Sequence, residues 1–230
     1  MQPPPTNLTQ DSVCVLVSGG LDSAVLTWHL AQTTERVVPV YVRTGMVWED
    51  VEYRWLERFL AAIASPRIQA VIPLEFPLRD IYASHWSVGG AGAPAFDDPD
   101  ETVYLPGRNI ILLAKTAVFC GLNHIPRIAM GHLAANPFPD ATDSFMTTMA
   151  AVLGAGLDWP LHIERPFTTK HKVDVVRLGA ALPLELTFSC IRPVGDLHCG
   201  DCNKCAERQQ GFAEAGILDR TQYARERGLV

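Results

Sequence analysis

The sequence has no long apolar run, no excess of positive charge and no signal for secretion. No apolar stretch approaches the ~20 residues that cross a bilayer, and residues 1–11 lack the basic start and apolar core of a signal peptide. The formal net charge of −6 gives no electrostatic reason to expect a long polyanion as partner. We therefore expect a cytoplasmic protein that acts on a small molecule, and we do not expect a membrane or nucleic-acid partner.

Short apolar runs rich in β-branched residues alternate with stretches of helical periodicity. The 230 residues, 48% of them hydrophobic, suffice for one core and a small appended module. This alternation predicts an α/β fold with a doubly wound, mainly parallel sheet, whose ligand lies at the carboxyl ends of the strands. The predicted strands are 13–17, 37–42, 68–72 and 125–130, and the predicted helices are 23–31, 49–64, 109–121, 144–154 and 172–181.

Residues 15–23 read V-L-V-S-G-G-L-D-S, an apolar strand that breaks at two glycines before a helix begins. Such a break leaves backbone N–H groups unpaired at a helix N-terminus, where the dipole favours an anion such as phosphate. The common P-loop pattern G-x-x-x-x-G-K-[ST] is absent. The competing interpretation is a tight turn without a ligand. The residues expected to hold phosphates are Val17, Ser18, Gly19, Gly20, Leu21, Asp22 and Ser23.

Four of the six cysteines crowd one C-terminal segment with the spacing C-x8-C-x2-C-x2-C: Cys190, Cys199, Cys202 and Cys205. Short C-x2-C steps and one longer loop can bring four thiolates around one ion, and Zn²⁺ is the natural occupant. Four ligands leave no open position, so we expect a structural site, with a redox pair as the alternative. Cys14 and Cys120 lie in apolar elements and are expected in the core.

The segment Y-L-P-G-R-N-I at 104–110 precedes an apolar helix. Asn109 can serve as the N-cap of that helix. Arg108 opposes the helix dipole and needs an anionic partner or solvent. Residues 77–105 lose periodicity and are rich in Gly, Ala, Pro and Asp. A loop of this length is either an active-site lid or an insertion without function.

Three ordered motifs carry a family resemblance. They are S-G-G-L-D-S at 18–23, L-P-G-R-N at 105–109, and S-C at 189–190 followed by H-C-G-D-C-N-K-C at 198–205. Over nearly its whole length the chain resembles the 7-cyano-7-deazaguanine synthases, the QueC family of N-type ATP pyrophosphatases. The resemblance implies an adenine nucleotide alpha hydrolase-like α/β domain at 1–185 that binds a nucleotide. It also implies a zinc-binding helical segment at 186–230 packed on that domain.

The resemblance implies an ATP-dependent carbon–nitrogen ligase that releases AMP and pyrophosphate. In that family ATP adenylates the carboxylate of 7-carboxy-7-deazaguanine, and ammonia displaces AMP to give the amide. A second ATP then activates the amide oxygen, and loss of AMP leaves the nitrile, preQ0. The implied cofactors are ATP and Zn²⁺, with Mg²⁺ brought by ATP and contacted by Asp22 or Asp140. The resemblance also implies a homodimer.

Site roles follow from matching the motifs residue by residue. The expected catalytic residues are Arg108, Lys172 and Asp22, and Asn109 is expected beside the nucleotide. Lys172 could neutralise departing pyrophosphate; the alternative is an exposed residue at a helix start. Substrate contacts are expected from Arg43, Gly131, His132 and Asp140, most of which lie at strand ends. His198 is expected beside the metal ligands.

Two segments depart from the family pattern. Family members commonly show Y-G-Q-x-H-x-x-E after the second strand, whereas this chain reads Y-V-R-T-G-M-V-W-E at 41–49 and lacks the Gln and His. The family's D-[FY]-S-G-Y-P-D-C-R becomes A-N-P-F-P-D-A-T at 135–142, without the arginine. Arg43 is the candidate substitute for the missing cation, or else a surface residue.

Three other functions remain open from the sequence. The first is a QueC-like adenylating enzyme that activates another carboxylate, a tRNA base or a protein. The second is a non-catalytic nucleotide sensor, which would not need Arg108 or Lys172. The third is a zinc-ribbon nucleic-acid module, which should bring a basic surface, although the cations after residue 190 are offset by acidic residues.

Overall fold

Five short strands form one parallel sheet. A computed structural model describes residues 11–134 and 136–225. Within them the strand order is β3-β2-β1-β4-β5, which confirms the doubly wound parallel sheet. Because the chain winds outward from β1 in both directions, a crevice opens at the carboxyl ends of β1 and β4. The strands are β1 Ser12–Leu16, β2 Arg36–Arg43, β3 Ile72–Glu75, β4 Arg127–Ala129 and β5 His162–Glu164.

Helices cover both faces of the sheet. They are α1 Leu21–Leu30, α2 Glu49–Ala62, α3 Arg79–Tyr82, α4 Trp86–Gly89, α5 Arg108–Leu122, α6 Asp143–Leu157, α7 Lys172–Leu178 and α8 Asn203–Ala215. Single 3-10 turns lie at Asp100–Val103, Pro139–Ala141 and Leu184–Leu186. Among the described residues, no helix is both long and apolar enough to cross a membrane.

The central strand β1 supplies both hydrophobic layers, because successive side chains of a strand point to opposite faces. Val13 and Val15 pack with residues of α1, α2 and α7 on one face. Cys14 and Leu16 pack with residues of α5 and α6 on the other face. Cys120 joins this second layer, and neither Cys14 nor Cys120 has any exposed surface. The expected core positions of these two cysteines are confirmed.

The third strand lies later in the chain than predicted. The prediction of a strand at 68–72 is wrong: Ile68 makes only an isolated bridge to Val37, and β3 begins at Ile72. β3 pairs with the second half of β2 and ends at the same edge of the sheet as the crevice. Because β3 is an edge strand, it tolerates Pro73. A proline argues against a strand when only the sequence is considered, so this strand was not predicted.

Residues 77–105, which we name the insertion segment, are docked on the C-terminal part of the chain. Ala95 forms a bridge with Cys202. The Asn203 N–H donates to the Pro94 carbonyl at 3.3 Å, and its side-chain amide donates to the Asp98 carbonyl at 2.6 Å. The segment carries α3, α4 and one 3-10 turn despite its lack of periodicity. Its backbone is therefore fixed against the cysteine-rich segment.

The C-terminal part of the chain shares the main core. α8 packs on α7, and Phe212 of α8 lies in the same hydrophobic layer as β1 and α1. A second group of buried side chains joins the four clustered cysteines to Trp48, Leu78 and Leu105. A division of the chain at residue 185 stays a prediction, and residues 1–10 lie outside the described residues.

Candidate active site

Two adjoining cavities lie at the carboxyl ends of β1, β2 and β4. The first, named here the β2 cavity, has a volume of about 240 Å³. The residues that line only this cavity include Tyr41, Thr44, Glu49, Leu112 and Asp140. The second, named the α8 cavity, has a volume of about 320 Å³. The residues that line only this cavity include Trp86, Lys172, Phe188, Ser189, Lys204 and Glu207. The titratable and hydroxyl side chains of the wall that both cavities share are Ser18, Asp22, Glu52, Arg108 and His132.

The loop between β1 and α1 is held by its own two serines. The Ser18 N–H donates to Ser23 Oγ at 3.1 Å, and that hydroxyl donates to the Gly20 carbonyl at 3.2 Å. Gly19 has a φ of +73°, and a Cβ there would lie 2.9 Å from Glu52 Cγ, so the position requires glycine. Gly20 is the N-cap of α1 and offers no side-chain acceptor. The first N–H groups of α1 are thus left for an anion.

The seven predicted phosphate-loop residues divide between the two cavities. Val17 and Ser23 line the β2 cavity, Gly20 and Leu21 line the α8 cavity, and Ser18 and Asp22 line both. Gly19 lines neither cavity, because its Cα is packed against α2. The loop therefore stands between the cavities.

Lys172 is buried between two carboxylates at the start of α7. Its Nζ donates to Asp22 Oδ2 at 2.5 Å and lies 2.8 Å from Glu207 Oε1. Burial alone would lower the pKa of Lys172, but the two carboxylates outweigh it and raise the pKa above its ordinary value. Only 18% of the side chain is exposed, so the alternative of an exposed helix-start residue is wrong. Its stem crosses α8 at Gly211, where a Cβ would lie 2.5 Å from Lys172 Cγ.

Asp22 keeps one oxygen free at the cavity edge. Its Oδ1 is buried and has no hydrogen-bond partner among the described residues. Burial raises the pKa of Asp22, against the lowering effect of Lys172. A carboxylate oxygen without a donor is suited to a cation, so Asp22 can contact a metal ion here. Asp140 is less suited, because its two carboxylate oxygens accept hydrogen bonds from the backbone and side chain of Asn109.

Lys204 and Glu207 extend this charged network along α8, and the sequence prediction missed both. Lys204 Nζ donates to Glu207 Oε2 at 2.7 Å and lies 3.9 Å from Asp100 of the insertion segment. Burial raises the pKa of Glu207, but the nearby Lys172 and Lys204 lower it well below its ordinary value. The sequence signal is their spacing of three residues on a helix that begins between Cys202 and Cys205.

Arg108 begins α5 beside both cavities. The N-cap is Gly107, with a φ of +75°, so the expectation that Asn109 caps the helix is wrong. Asn109 instead donates its side-chain amide to Asp140 Oδ1 at 3.1 Å and thereby fixes the Pro139–Ala141 turn. Arg108 Nε is buried and lacks a hydrogen-bond partner among residues 11–134 and 136–225. A guanidinium with an unpaired N–H in a cavity wall is suited to an anionic ligand.

A buried acidic pair on α2, Glu49 and Glu52, also escaped the sequence prediction. Glu52 Oε2 accepts a hydrogen bond from the Tyr41 hydroxyl at 2.6 Å, and burial raises the pKa of Glu52 to about 8. Glu49 accepts hydrogen bonds from the backbone N–H groups of Thr44 and Gly45 and holds the turn that follows β2. Glu49 and Glu52 are three residues apart, a spacing that places them on one face of α2 but does not indicate a position inside the crevice.

Gly131 and His132 follow β4 and reach the shared wall as expected. A Cβ at Gly131 would lie 3.1 Å from the backbone of Asp22 and Ser23, so glycine lets β4 approach the phosphate loop. Burial lowers the pKa of His132 to about 4, and Arg165 contributes in the same direction. His132 is therefore neutral at pH 7, and its buried Nδ1 has no partner in the described part of the chain.

The four cysteines of the C-terminal segment form a buried cluster whose geometry suits a metal ion. Their sulfur atoms lie within 4.8 Å of one another, and those of Cys202 and Cys205 are 3.5 Å apart. Zinc–sulfur bonds of ~2.3 Å place tetrahedral sulfurs roughly 3.8 Å apart, so this donor set fits Zn²⁺. Backbone N–H groups of Arg192 and Cys199 donate to Cys190 Sγ at 3.3 and 3.2 Å, as thiolates require.

His198 lies behind this metal site rather than in it. Its Nε2 accepts a hydrogen bond from the Ser189 N–H at 3.1 Å, and its ring packs on Phe188 with centroids 4.4 Å apart. Ser189 and Phe188 line the α8 cavity. The cysteine cluster and the cavity wall are therefore parts of one packed unit.

A comparison with known protein families decides the classification. The family model described as "Queuosine biosynthesis protein QueC" matches residues 12–216. The chain belongs to the QueC family. It is similar to the 7-cyano-7-deazaguanine synthase of Methanothrix thermoacetophila, with 35% identity over 92% of this chain and 98% of that protein. It is also similar to the synthase of Methanopyrus kandleri, with 32% identity over 91% of this chain and 97% of that protein.

The cation expected to replace the missing QueC arginine is not where the sequence suggested. Arg43 pairs with Asp50 at 2.8 Å, stacks on Tyr53 and lines neither cavity, so we correct its expected role as a substrate contact. Arg165, which follows β5, donates to the Ala141 carbonyl at 2.5 Å and pairs with Asp143, and it also lines neither cavity. Its guanidinium thus lies beside the stretch 136–142, where this QueC chain lacks an arginine; Ala135 is outside the described residues.

Proposed function

We propose that this QueC-family protein converts 7-carboxy-7-deazaguanine and ammonia to 7-cyano-7-deazaguanine with ATP. The observation that carries the proposal is the phosphate loop standing between two adjoining cavities, with Arg108 in their shared wall. Two reactants in neighbouring cavities can meet at one point, which is what adenyl transfer requires.

The β2 cavity is proposed to take the nucleoside of ATP and the α8 cavity the deazaguanine. The first is framed by Tyr41, Leu112 and the carboxyl end of β1. The second contains the rings of Trp86 and Phe188, and Trp86 stacks on Trp48 with centroids 5.7 Å apart. Planar heterocycles bind such aromatic surfaces well. In this arrangement Gly131 and His132 contact the substrate from the shared wall.

The first half of the reaction is adenylation. The substrate carboxylate attacks the α-phosphorus of ATP, and pyrophosphate leaves with the bonding electrons. Backbone N–H groups of the phosphate loop hold the phosphates, while Arg108 and Lys172 neutralise the charge that develops on pyrophosphate. Mg²⁺ supplies further charge neutralisation when bound with ATP, and Asp22 Oδ1 is its proposed protein contact.

The second half is nitrogen transfer. Ammonia attacks the acyl carbon, and AMP leaves to give the amide. A second ATP activates the amide oxygen in the same way, and loss of AMP leaves the nitrile. AMP and pyrophosphate are therefore the proposed products of each activation.

Zn²⁺ is proposed as a structural ion in the four-cysteine site. With four sulfur ligands it has no open position for water or substrate. Cys190 adjoins Ser189, and Cys202 and Cys205 flank Lys204 in sequence. The residues Cys190, Cys199, Cys202 and Cys205 would thus hold one wall of the α8 cavity in place.

A homodimer is proposed from an unpaired apolar stripe on α5. Val118 and Leu122 are four residues apart and therefore adjacent on the helix surface, and Ile110 lies about two turns before Val118; all three side chains are exposed.

Mass spectrometry of the reaction products tests the proposed function. Purified protein is mixed with ATP, Mg²⁺, ammonium and 7-carboxy-7-deazaguanine, and amide, nitrile and nucleotides are quantified. The proposal expects nitrile and about two AMP per nitrile, with no ADP. Neither amide nor nitrile from folded, zinc-loaded protein would contradict it.

A second candidate function is adenylation of a different carboxylate, a tRNA base or a protein. The observation that favours it is the absent Gln and His of the family motif at 41–49. In that case the same assay yields no nitrile, and AMP appears only when the other acceptor is supplied.

A further inference from the structure

One buried carboxyl in the shared wall has no role in the steps above. Glu52 of α2 is 7% exposed and lines both cavities. Its Oε2 accepts a hydrogen bond from the Tyr41 hydroxyl at 2.6 Å, and its stem is packed against Gly19 of the phosphate loop. A carboxyl is thus held in one orientation at the junction of the two cavities.

The proposed chemistry releases protons at this junction. When ammonia attacks the acyl adenylate, the C–N bond forms, the C–O bond to AMP breaks, and the nitrogen must lose a proton. Activation of the amide oxygen releases a second proton from nitrogen. Elimination of AMP to the nitrile releases a third. Adenylation of the carboxylate releases none, because the acid is already ionised.

We propose that Glu52 is the general base that accepts the protons released from nitrogen during amide and nitrile formation. This inference rests on the proposed function. The Glu52 carboxylate takes the proton. The N–H electron pair stays on nitrogen as a lone pair in amide formation and becomes a new C–N π bond in the two steps that lead to the nitrile. Glu52 returns each proton to solvent before the next step. Tyr41 holds the carboxylate in position without taking part in the transfer.

The neighbouring titratable groups are less suited to this role. Those that face Glu52 or share its wall are Tyr41, Glu49, Arg108, Asp22 and His132. Asp22 is paired with Lys172, Glu49 is bonded to backbone N–H groups, and Arg108 cannot accept a proton. The pKa of His132, about 4, makes it a much weaker base than Glu52, whose pKa of about 8 suits proton transfer near neutral pH.

The variant Glu52→Gln should affect nitrogen transfer but not adenylation, so the two half-reactions are measured separately. Glutamine keeps the shape that packs on Gly19 but cannot accept the proton. ATP–pyrophosphate exchange dependent on 7-carboxy-7-deazaguanine should stay within about threefold of wild type, while amide formation falls by roughly 10²–10⁴-fold. Equal loss of both activities would mean that Glu52 only supports the phosphate loop and would overturn the proposal. Absence of exchange in the wild type would instead count against the proposed function.

Two further readouts keep the test decisive if Glu52→Gln fails to fold. In the wild type, with the concentration of free ammonia held constant across the pH series, amide formation should rise with pH through about 8 and then level off, because only the ionised carboxylate accepts a proton. The Tyr41 hydrogen bond lowers the pKa of Glu52, so Tyr41→Phe should move this rise to higher pH. Hydroxylamine, a weaker base that loses its proton to water more readily, should react with little of this pH dependence. An unmoved pH profile in Tyr41→Phe would contradict the proposal.

Discussion

At the scale of single residues, the site depends on contacts between charged groups far apart in the chain. Lys172 and Asp22 are 150 positions apart and share a 2.5 Å hydrogen bond. The motifs predicted that both residues would serve the same reaction. They did not reveal Glu52, Lys204 or Glu207, because a charged residue on an amphipathic helix looks the same whether it faces solvent or a crevice.

The position of Lys172 should depend on the absence of a side chain at Gly211. Because a Cβ there would lie 2.5 Å from Lys172 Cγ, Gly211→Ala should displace the lysine and slow ATP–pyrophosphate exchange by roughly 10–100-fold. Gly156→Ala is the matched control, since a Cβ there meets no atom within 4 Å and the helix gains up to ~1 kcal/mol. Full exchange activity in folded Gly211→Ala would contradict this placement.

At the scale of elements, the long periodic segments were predictable and the short polar ones were not. Helices α2, α5 and α6 lie within a few residues of their predicted bounds, because each has an apolar stripe against the sheet. β5 has only three residues, His162–Glu164, of which the first and last are polar. Such a segment shows no apolar run, so this strand was not predicted from the sequence. The family resemblance implied a helical segment within 186–230, but the bounds of α8 were not predicted, because the helix begins inside the cysteine motif, where ligand spacing masks helical periodicity.

Removal of the metal should loosen the α8 cavity and the insertion segment together. Ala95 is bridged to Cys202, and Asn203 is bonded to the Asp98 carbonyl, so loss of the thiolate cluster removes these anchors. Treatment with a strong chelator should lower the melting temperature and make residues 77–105 the first site of limited proteolysis. Readdition of Zn²⁺ should reverse both changes. Unchanged melting and cleavage after complete metal removal would refute a structural role.

At the scale of the whole molecule, the sheet order decides where chemistry can occur. The phosphate loop, Gly131 and the turn after β2 come together because β1, β2 and β4 are neighbours and parallel. The alternation of strands and helices was enough to predict this crevice. It could not predict that residues 77–105 and α8 would close its open side, since neither carries a periodic apolar pattern.

The proposed dimer gives a prediction at the same scale. A charge in the exposed stripe of α5 should prevent association, because burying an unpaired carboxylate is costly. Val118→Glu should therefore elute as a monomer in size-exclusion chromatography with light scattering. Leu218→Glu, a change at a more exposed apolar residue of the C-terminal segment, should leave the dimer intact. A wild-type monomer would contradict the proposed assembly.

The most direct test of the central claim follows the two oxygens of the substrate carboxylate. 7-Carboxy-7-deazaguanine labelled with oxygen-18 in both carboxylate positions is converted with ATP and ammonium, and AMP and pyrophosphate are analysed by mass spectrometry. Successive adenylation of carboxylate and amide predicts one labelled oxygen in the AMP from each activation and none in pyrophosphate. Unlabelled AMP, or label in inorganic phosphate, would contradict the account.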